Sequence, residues 1–184
     1  MREPAFWNRP SSLLARLLVP VGALYGAIAA RRMARPGVRA GVPVICVGNY
    51  HVGGAGKTPT VLALSGVLRA LGETPVVLSR GYGGRLEGPA QVDPQNHTAA
   101  DVGDEPLMMA KRLPVIVSRQ RAAELAPARA SGASVIVMDV GFQNPAVAKD
   151  VSLIVIDSDR GIGNRLVLPD GPLLAPLPPV RVDA

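Results

Sequence analysis

The chain has 184 residues, 48% of them apolar and only 3% aromatic, with a formal net charge of +6. Its length suits one ordinary domain with a real core, and its apolar content excludes a disordered tail. So few aromatics argue against a base-stacking surface for single-stranded nucleic acid. A single cysteine, Cys46, excludes an internal disulfide and makes a cysteine metal site untenable; within VPVICVGN it reads as a small buried apolar residue. The charge is not spread evenly. Residues 1–40 carry seven arginines (Arg2, Arg9, Arg16, Arg31, Arg32, Arg35 and Arg39) against one acid, Glu3, so the excess lies in an N-terminal arm and the rest is neutral. That distribution points away from a nucleic-acid surface on the globular part.

Along the arm, Leu14, Leu17, Leu18, Val21, Leu24, Tyr25 and Ile28 recur three or four apart, the spacing of an amphipathic helix. Ser11 or Ser12 is a candidate cap, and Pro20 with Gly22 predicts a kink or break. The uncharged run Leu17–Ala30 is 14 residues, shorter than the ~20 needed to span a bilayer. Three readings compete: a cleaved signal peptide ending at Ala27-Ile28-Ala29, a helix docked on its own domain, and a helix lying in a membrane interface. Arg16 and Pro20 inside the apolar stretch, and a nucleotide-type loop downstream, count against the first. The flanking arginines favour the third, since they would meet anionic headgroups.

Beyond residue 40 the pattern changes to short apolar, β-branched runs alternating with helical periods. Strands are predicted at 42–47, 75–79, 115–117, 134–139 and 152–157, and helices at 58–71, 105–112 and 119–131. Such alternation predicts an α/β fold, a mostly parallel sheet with helices on both faces, preceded by the amphipathic helix. Residues 85–101 are polar and irregular and read as a long functional loop. The expected organisation is an arm over 1–40, a core over 41–168 and a proline-rich linker over 169–184, leading to a further domain.

The segment NYHVGGAGKTPT, residues 49–60, holds the chemistry. The phosphate loop is G-x-x-x-x-G-K-[ST]; aligned on Gly56-Lys57-Thr58, the first position here is His51. One letter departs, but a strand still runs into a glycine turn that opens a helix. Backbone N–H groups from Gly53, Gly54, Ala55, Gly56, Lys57 and Thr58 can point at phosphate oxygens. Lys57 can reach the β/γ oxygens and the Thr58 hydroxyl can ligate Mg²⁺. Pro59 in the first turn costs no hydrogen bond. Such a site wants an acid at the tip of a nearby strand. SVIVMD supplies Asp139, with Asp157 a weaker rival.

Six segments in order then carry a resemblance: WNRPSS, VGNYHVGGAGKTP, LSRGYGG, GDEP, MDVGFQNP and GNRLVLPDGPL. From about Trp7 to the C-terminus the chain resembles the tetraacyldisaccharide 4'-kinases of lipid A synthesis. That resemblance implies a P-loop NTPase-like kinase using ATP and Mg²⁺ on the 4'-hydroxyl of a tetraacylated glucosamine disaccharide 1-phosphate. It implies an enzyme at the cytoplasmic face of the inner membrane, held partly by the N-terminal helix. The loop matches over His51, Val52, Gly53, Gly54, Ala55, Gly56, Lys57 and Thr58. Asp104 of GDEP matches the carboxylate that accepts the sugar hydroxyl's proton; without the resemblance it reads as a helix N-cap. Arg80, Arg121 and Arg165 are candidates for holding the sugar phosphate, Arg80 first, each with a surface-charge alternative.

Two departures stand out. Val140 occupies the second position of an acidic pair usual in the family. The family also continues into a second domain supplying a histidine, whereas this sequence holds only His51 and His97. Asp170 and Leu174-Ala175 differ from the family's late segment as well. The alternatives are therefore a truncated, membrane-associated nucleotide-binding module without transfer, or a partner-activated ATPase. The latter class carries a lysine before its glycine pair, where this chain has Val52.

Overall fold

The computed structural model describes residues 4–8, 13–51, 56–139, 141–159 and 161–177. They fall into two compact units, one made of Pro36–Gly48 and Gly56–Val155, the other of Met1–Arg35, Asn49–Ala55 and Ile156–Ala184.

The larger unit is the α/β layer that the alternating runs predict. Its strands are β1 (Val44–Gly48), β2 (Pro75–Ser79), β3 (Ala90–Gln91), β4 (Val115–Val117), β5 (Val135–Asp139) and β6 (Val151–Ile154). They form one sheet in the order β3-β4-β2-β5-β1-β6. All pairs are parallel except β3 with β4. The four inner strands are buried along nearly their whole length, as β-branched runs must be when both faces are covered. Their alternation sorts the core into two layers. Cys46, Val76, Leu78, Ile116, Ile136 and Met138 face one side, with Leu125 and Ala128 of α5 (Leu125–Ala130). Val47, Val77, Val115, Val117 and Val137 face the other. There they meet Val61 of α2 (Lys57–Ala70), Val102 of α3 (Ala99–Val102) and Met109 of α4 (Asp104–Ala110).

Two expectations need correction here. The stretch 85–101 is not all loop: it contributes β3 and α3, the latter closed by a capping box between Thr98 and Asp101. The helix expected over 119–131 is broken in two, a 3₁₀ turn Arg121–Glu124 followed by α5.

The smaller unit holds α1 (Leu13–Met33), unbroken across Pro20. The predicted break is absent: Pro20 costs the Arg16 carbonyl its N–H partner, but both residues are exposed, so water can serve that carbonyl. The candidate caps Ser11 and Ser12 lie outside the described residues. The apolar stripe forms the outward face of α1. Leu13, Leu17, Val21, Leu24 and Ile28 are exposed, while the buried line runs through Gly22 and Gly26. Both glycines lack a Cβ where their neighbours come closest: one on Gly22 would strike the Asp170 carboxylate, and one on Gly26 would sit 3.3 Å from Val167. Tyr25 donates to the Leu174 carbonyl at 3.3 Å, and the Trp7 indole N–H to that of Pro169 at 3.0 Å. Leu173 and Ala175 are fully buried, Leu173 bridges His51, and Leu174 N–H donates to the Tyr50 carbonyl at 2.7 Å.

Candidate active site

The site is built at the C-terminal ends of the parallel strands, where a P-loop-type sheet leaves room for phosphates. β1 pairs with β5 so that Val47 stands opposite Asp139. α2 then begins at Lys57, its N-cap Gly56 in the left-handed region at φ 76° and without a side-chain cap. The first-turn amides are thus left to a ligand rather than to a serine or aspartate. Thr58 is buried and Lys57 half-buried in that first turn. Val52, Gly53, Gly54 and Ala55 lie outside the described residues, as does Val140.

Asp139 is 0% exposed, and neither carboxylate oxygen has a hydrogen-bond partner among the described residues. Burial, reinforced by the negative charge of Glu105, pushes its carboxyl up to about 6; Lys57 and Arg121 pull it back. Ser79 lies near enough to temper the shift, though not in hydrogen-bonding geometry. A buried acid without a partner is costly unless a cation completes it. Asp139 and the Thr58 hydroxyl are oxygen donors of the kind that would hold Mg²⁺ here.

Asp104 is exposed and starts α4, but the cap position belongs to Gly103 at φ 91°. The helix-cap explanation for Asp104 thus fails, because the backbone turn occurs one residue earlier. Its carboxylate is left facing solvent beside Glu105. Arg80 is exposed directly after β2. Arg121 is enclosed instead, 4% exposed, with its guanidinium 3.5 Å from the fully buried Glu124. His51 and Arg165 belong to the smaller unit. His51 is buried, and its carbonyl accepts from the Asn49 amide at 2.6 Å. Arg165 is exposed in a turn at φ 64°. Asp157 is also there, its carboxylate accepting from Asp159 N–H at 2.9 Å.

Three participants escape the sequence reading. Glu105 acts on Asp139 through its charge. Lys149 donates to the carbonyls of Phe142 and Asn144, both at 2.8 Å, and so anchors the loop after β5. Glu124 faces Arg121. No motif marks the last two, whose partners are met only through folding; Glu105 could have been read from its place beside Asp104.

Burial pushes the Glu124 carboxyl up from 4.5 to about 8, with Arg121 opposing. The folded state therefore keeps a proton that the unfolded chain releases above 4.5, and stability falls as pH rises between those two values. Glu124→Gln should flatten the upper part of this slope. Melting temperatures from pH 5 to 8.5 check it: an equally steep decline in the variant would assign the slope elsewhere.

Residues 14–184 match the family described as LpxK, tetraacyldisaccharide-1-P 4'-kinase. The chain belongs to this family. A tetraacyldisaccharide 4'-kinase of Nitrobacter winogradskyi is 78% identical over the whole chain, which covers 55% of that protein. One from Rhodopseudomonas palustris strain BisB18 is 69% identical over the whole chain and 54% of its own length. The chain thus spans about half the length of the curated relatives it matches. A solved structure, the "apo" form of LpxK from Aquifex aeolicus in complex with ATP, superposes with a TM-score of 0.74 at 30% identity. The match covers 89% of this chain and 55% of that one. The six-stranded sheet with α2 after β1 is therefore the LpxK family's own scaffold.

Proposed function

We propose that the chain binds the phosphates of ATP at the start of α2 and takes part in phosphoryl transfer to the 4'-hydroxyl of an acylated glucosamine disaccharide 1-phosphate. The observation carrying this reading is Asp139, a partnerless buried acid aligned with the end of β1 and balanced by Lys57. In-line transfer needs positioned charge more than covalent help from the protein. The loop amides of residues 51–58 would cradle the phosphates, with Lys57 on the β/γ oxygens. Thr58 and Asp139 would hold Mg²⁺, which when bound neutralises charge developing on the phosphates. Asp104 accepts the proton leaving the sugar hydroxyl. Arg80 is exposed and would meet the acceptor's phosphate; Arg121, enclosed beside Glu124, contributes its charge to Asp139, and Arg165 is the remaining phosphate candidate.

Radiolabelled ATP, Mg²⁺ and the tetraacylated disaccharide 1-phosphate in mixed micelles test this directly. Label should move to the lipid. ATP binding without label transfer would favour a nucleotide-binding module, the reading motivated by Val140. Failure to bind ATP at millimolar Mg²⁺ would overturn both.

The proposed location is the cytoplasmic face of the inner membrane. No helix among the described residues is long and apolar enough to cross a membrane. α1 instead exposes Leu13, Leu17, Val21, Leu24 and Ile28 along one line, with Arg31 and Arg32 in its last turn. That combination suits a helix lying in the interface. Leu17→Glu with Leu24→Glu should weaken sedimentation with anionic vesicles by about tenfold or more, given ~1.5–3 kcal/mol for burying each leucine. Because both side chains are exposed, the melting temperature should hold. Unchanged sedimentation would remove the interfacial helix.

A further inference from the structure

We infer that Lys149 is a positioning residue for the phosphate site: it holds the loop after β5 in the shape that lays Phe142 over Gly48, where the chain leaves β1 for the phosphate segment. That role rests on the nucleotide-binding reading above. β5 and β6 lie on either side of β1 and run parallel to it, so the chain between them must cross over β1. Such a crossover is usually a helix, whose own hydrogen bonds hold its backbone. Residues 141–150 form no helix. Their carbonyls must find other partners.

Lys149 supplies two of those partners from the far end of the loop. Its Nζ donates to the Phe142 and Asn144 carbonyls, both at 2.8 Å. Asn144 N–H closes a turn onto the Gly141 carbonyl at 2.9 Å, and its side-chain oxygen accepts from Ala146 N–H at 2.9 Å. The second half of the loop is tied to the chain ahead of β1. Val38 N–H donates to the Ala146 carbonyl and Ala148 N–H to that of Val38, both at 2.9 Å. A Cβ on Gly37 would run into Ala148. That half is therefore fixed without the ammonium. The first half, from Gly141 to Asn144, is the part that Lys149 anchors.

The first half carries Phe142. Val44 and Cys46 of β1 belong to the core layer of Leu125 and Ala128, and Gly48 is the next residue of β1 on that side. Having no side chain, Gly48 leaves its place to Phe142: a Cβ on it would run into the Phe142 side chain. Phe142 is half-buried and packs on the same layer. The consequence for the site is positional. β1 lies beside β5 with Val47 opposite Asp139, and Phe142 follows Asp139 by three residues. One side chain thus joins the root of the phosphate segment to the loop that continues from the proposed Mg²⁺ ligand. Both are ordered before a nucleotide arrives, so less entropy is lost on binding.

Calorimetric titration with a non-hydrolysable ATP analogue and Mg²⁺, well below each variant's melting temperature, tests this together with fluorine NMR. The sequence has two phenylalanines, Phe6 and Phe142, so in protein labelled with para-fluorophenylalanine the Phe142 signal is assigned by Phe6→Leu. Lys149→Met should bind the analogue about five- to tenfold more weakly, the scale of re-ordering one loop residue on binding, and should move the Phe142 signal. Lys149→Arg again offers several donors to the two carbonyls, and should bind within about twofold of wild type with the signal restored. Phe142→Ala, with Lys149 intact, should reproduce the weaker binding, and it decides the matter if Lys149→Met does not fold. Wild-type affinity in Lys149→Met or in Phe142→Ala, or weaker binding in Lys149→Met with an unmoved Phe142 signal, overturns the positioning role and leaves nucleotide binding standing. A wild-type chain that binds no nucleotide overturns both.

Discussion

Lys57→Ala should lower phosphoryl transfer by about a thousandfold, the scale of removing a preorganised charge from a transferring group. ATP affinity should fall about ten- to a hundredfold, as expected for one lost charge-assisted contact. The reason lies in position. Lys57 opens α2 half-buried, where the helix start already favours anions, and its charge also offsets the buried Asp139. Without it, Asp139 keeps Glu105 as a repelling neighbour and loses a cation that holds it ionised. Lys57→Arg should restore part of the binding, since charge returns in a bulkier fork. Single-turnover rates and calorimetric titration check both variants. Transfer within threefold of wild type in Lys57→Ala would remove the phosphate loop from the chemistry.

Asp104→Asn should lower kcat by about a hundred- to ten-thousandfold with little change in KM, the range for losing a positioned general base. The usual ambiguity of such a change is structural, because an aspartate at a helix start often caps it. Here Gly103 holds the cap position and Asp104 is exposed, so the melting temperature should stay within a degree or two. Glu105→Gln separates the two neighbouring acids. If Glu105 acts through its charge on Asp139, its loss should shift the Mg²⁺ dependence rather than the proton-transfer step. A silent Asp104→Asn beside an inactive Glu105→Gln would reassign the base.

The sequence alone determined the order of the five parallel strands and of the helix after the first of them, because that information is local. VIV, SVIVMD and PVVLS are β-branched and apolar without interruption, which only a strand covered on both faces can use. The glycine-rich segment ahead of Lys57-Thr58 and the acid ending SVIVMD are likewise local patterns, and residue type with spacing is enough to make them candidates for a phosphate site. The tertiary structure decided what depends on partners distant in the chain. α1 has apolar residues on more than one line, and its periodicity could not say that the glycine line would be covered; Gly22 and Gly26 are selected by Asp170 and Val167, more than 140 residues away. The same applies to Arg121, readable as a surface cation until Glu124 and the sheet enclose it, and to Glu105, whose influence on Asp139 exists only once α4 packs on β4 and α2. Local pattern sets period and propensity. Which face is buried, and which charges meet in low dielectric, is set by contacts that no window of sequence contains.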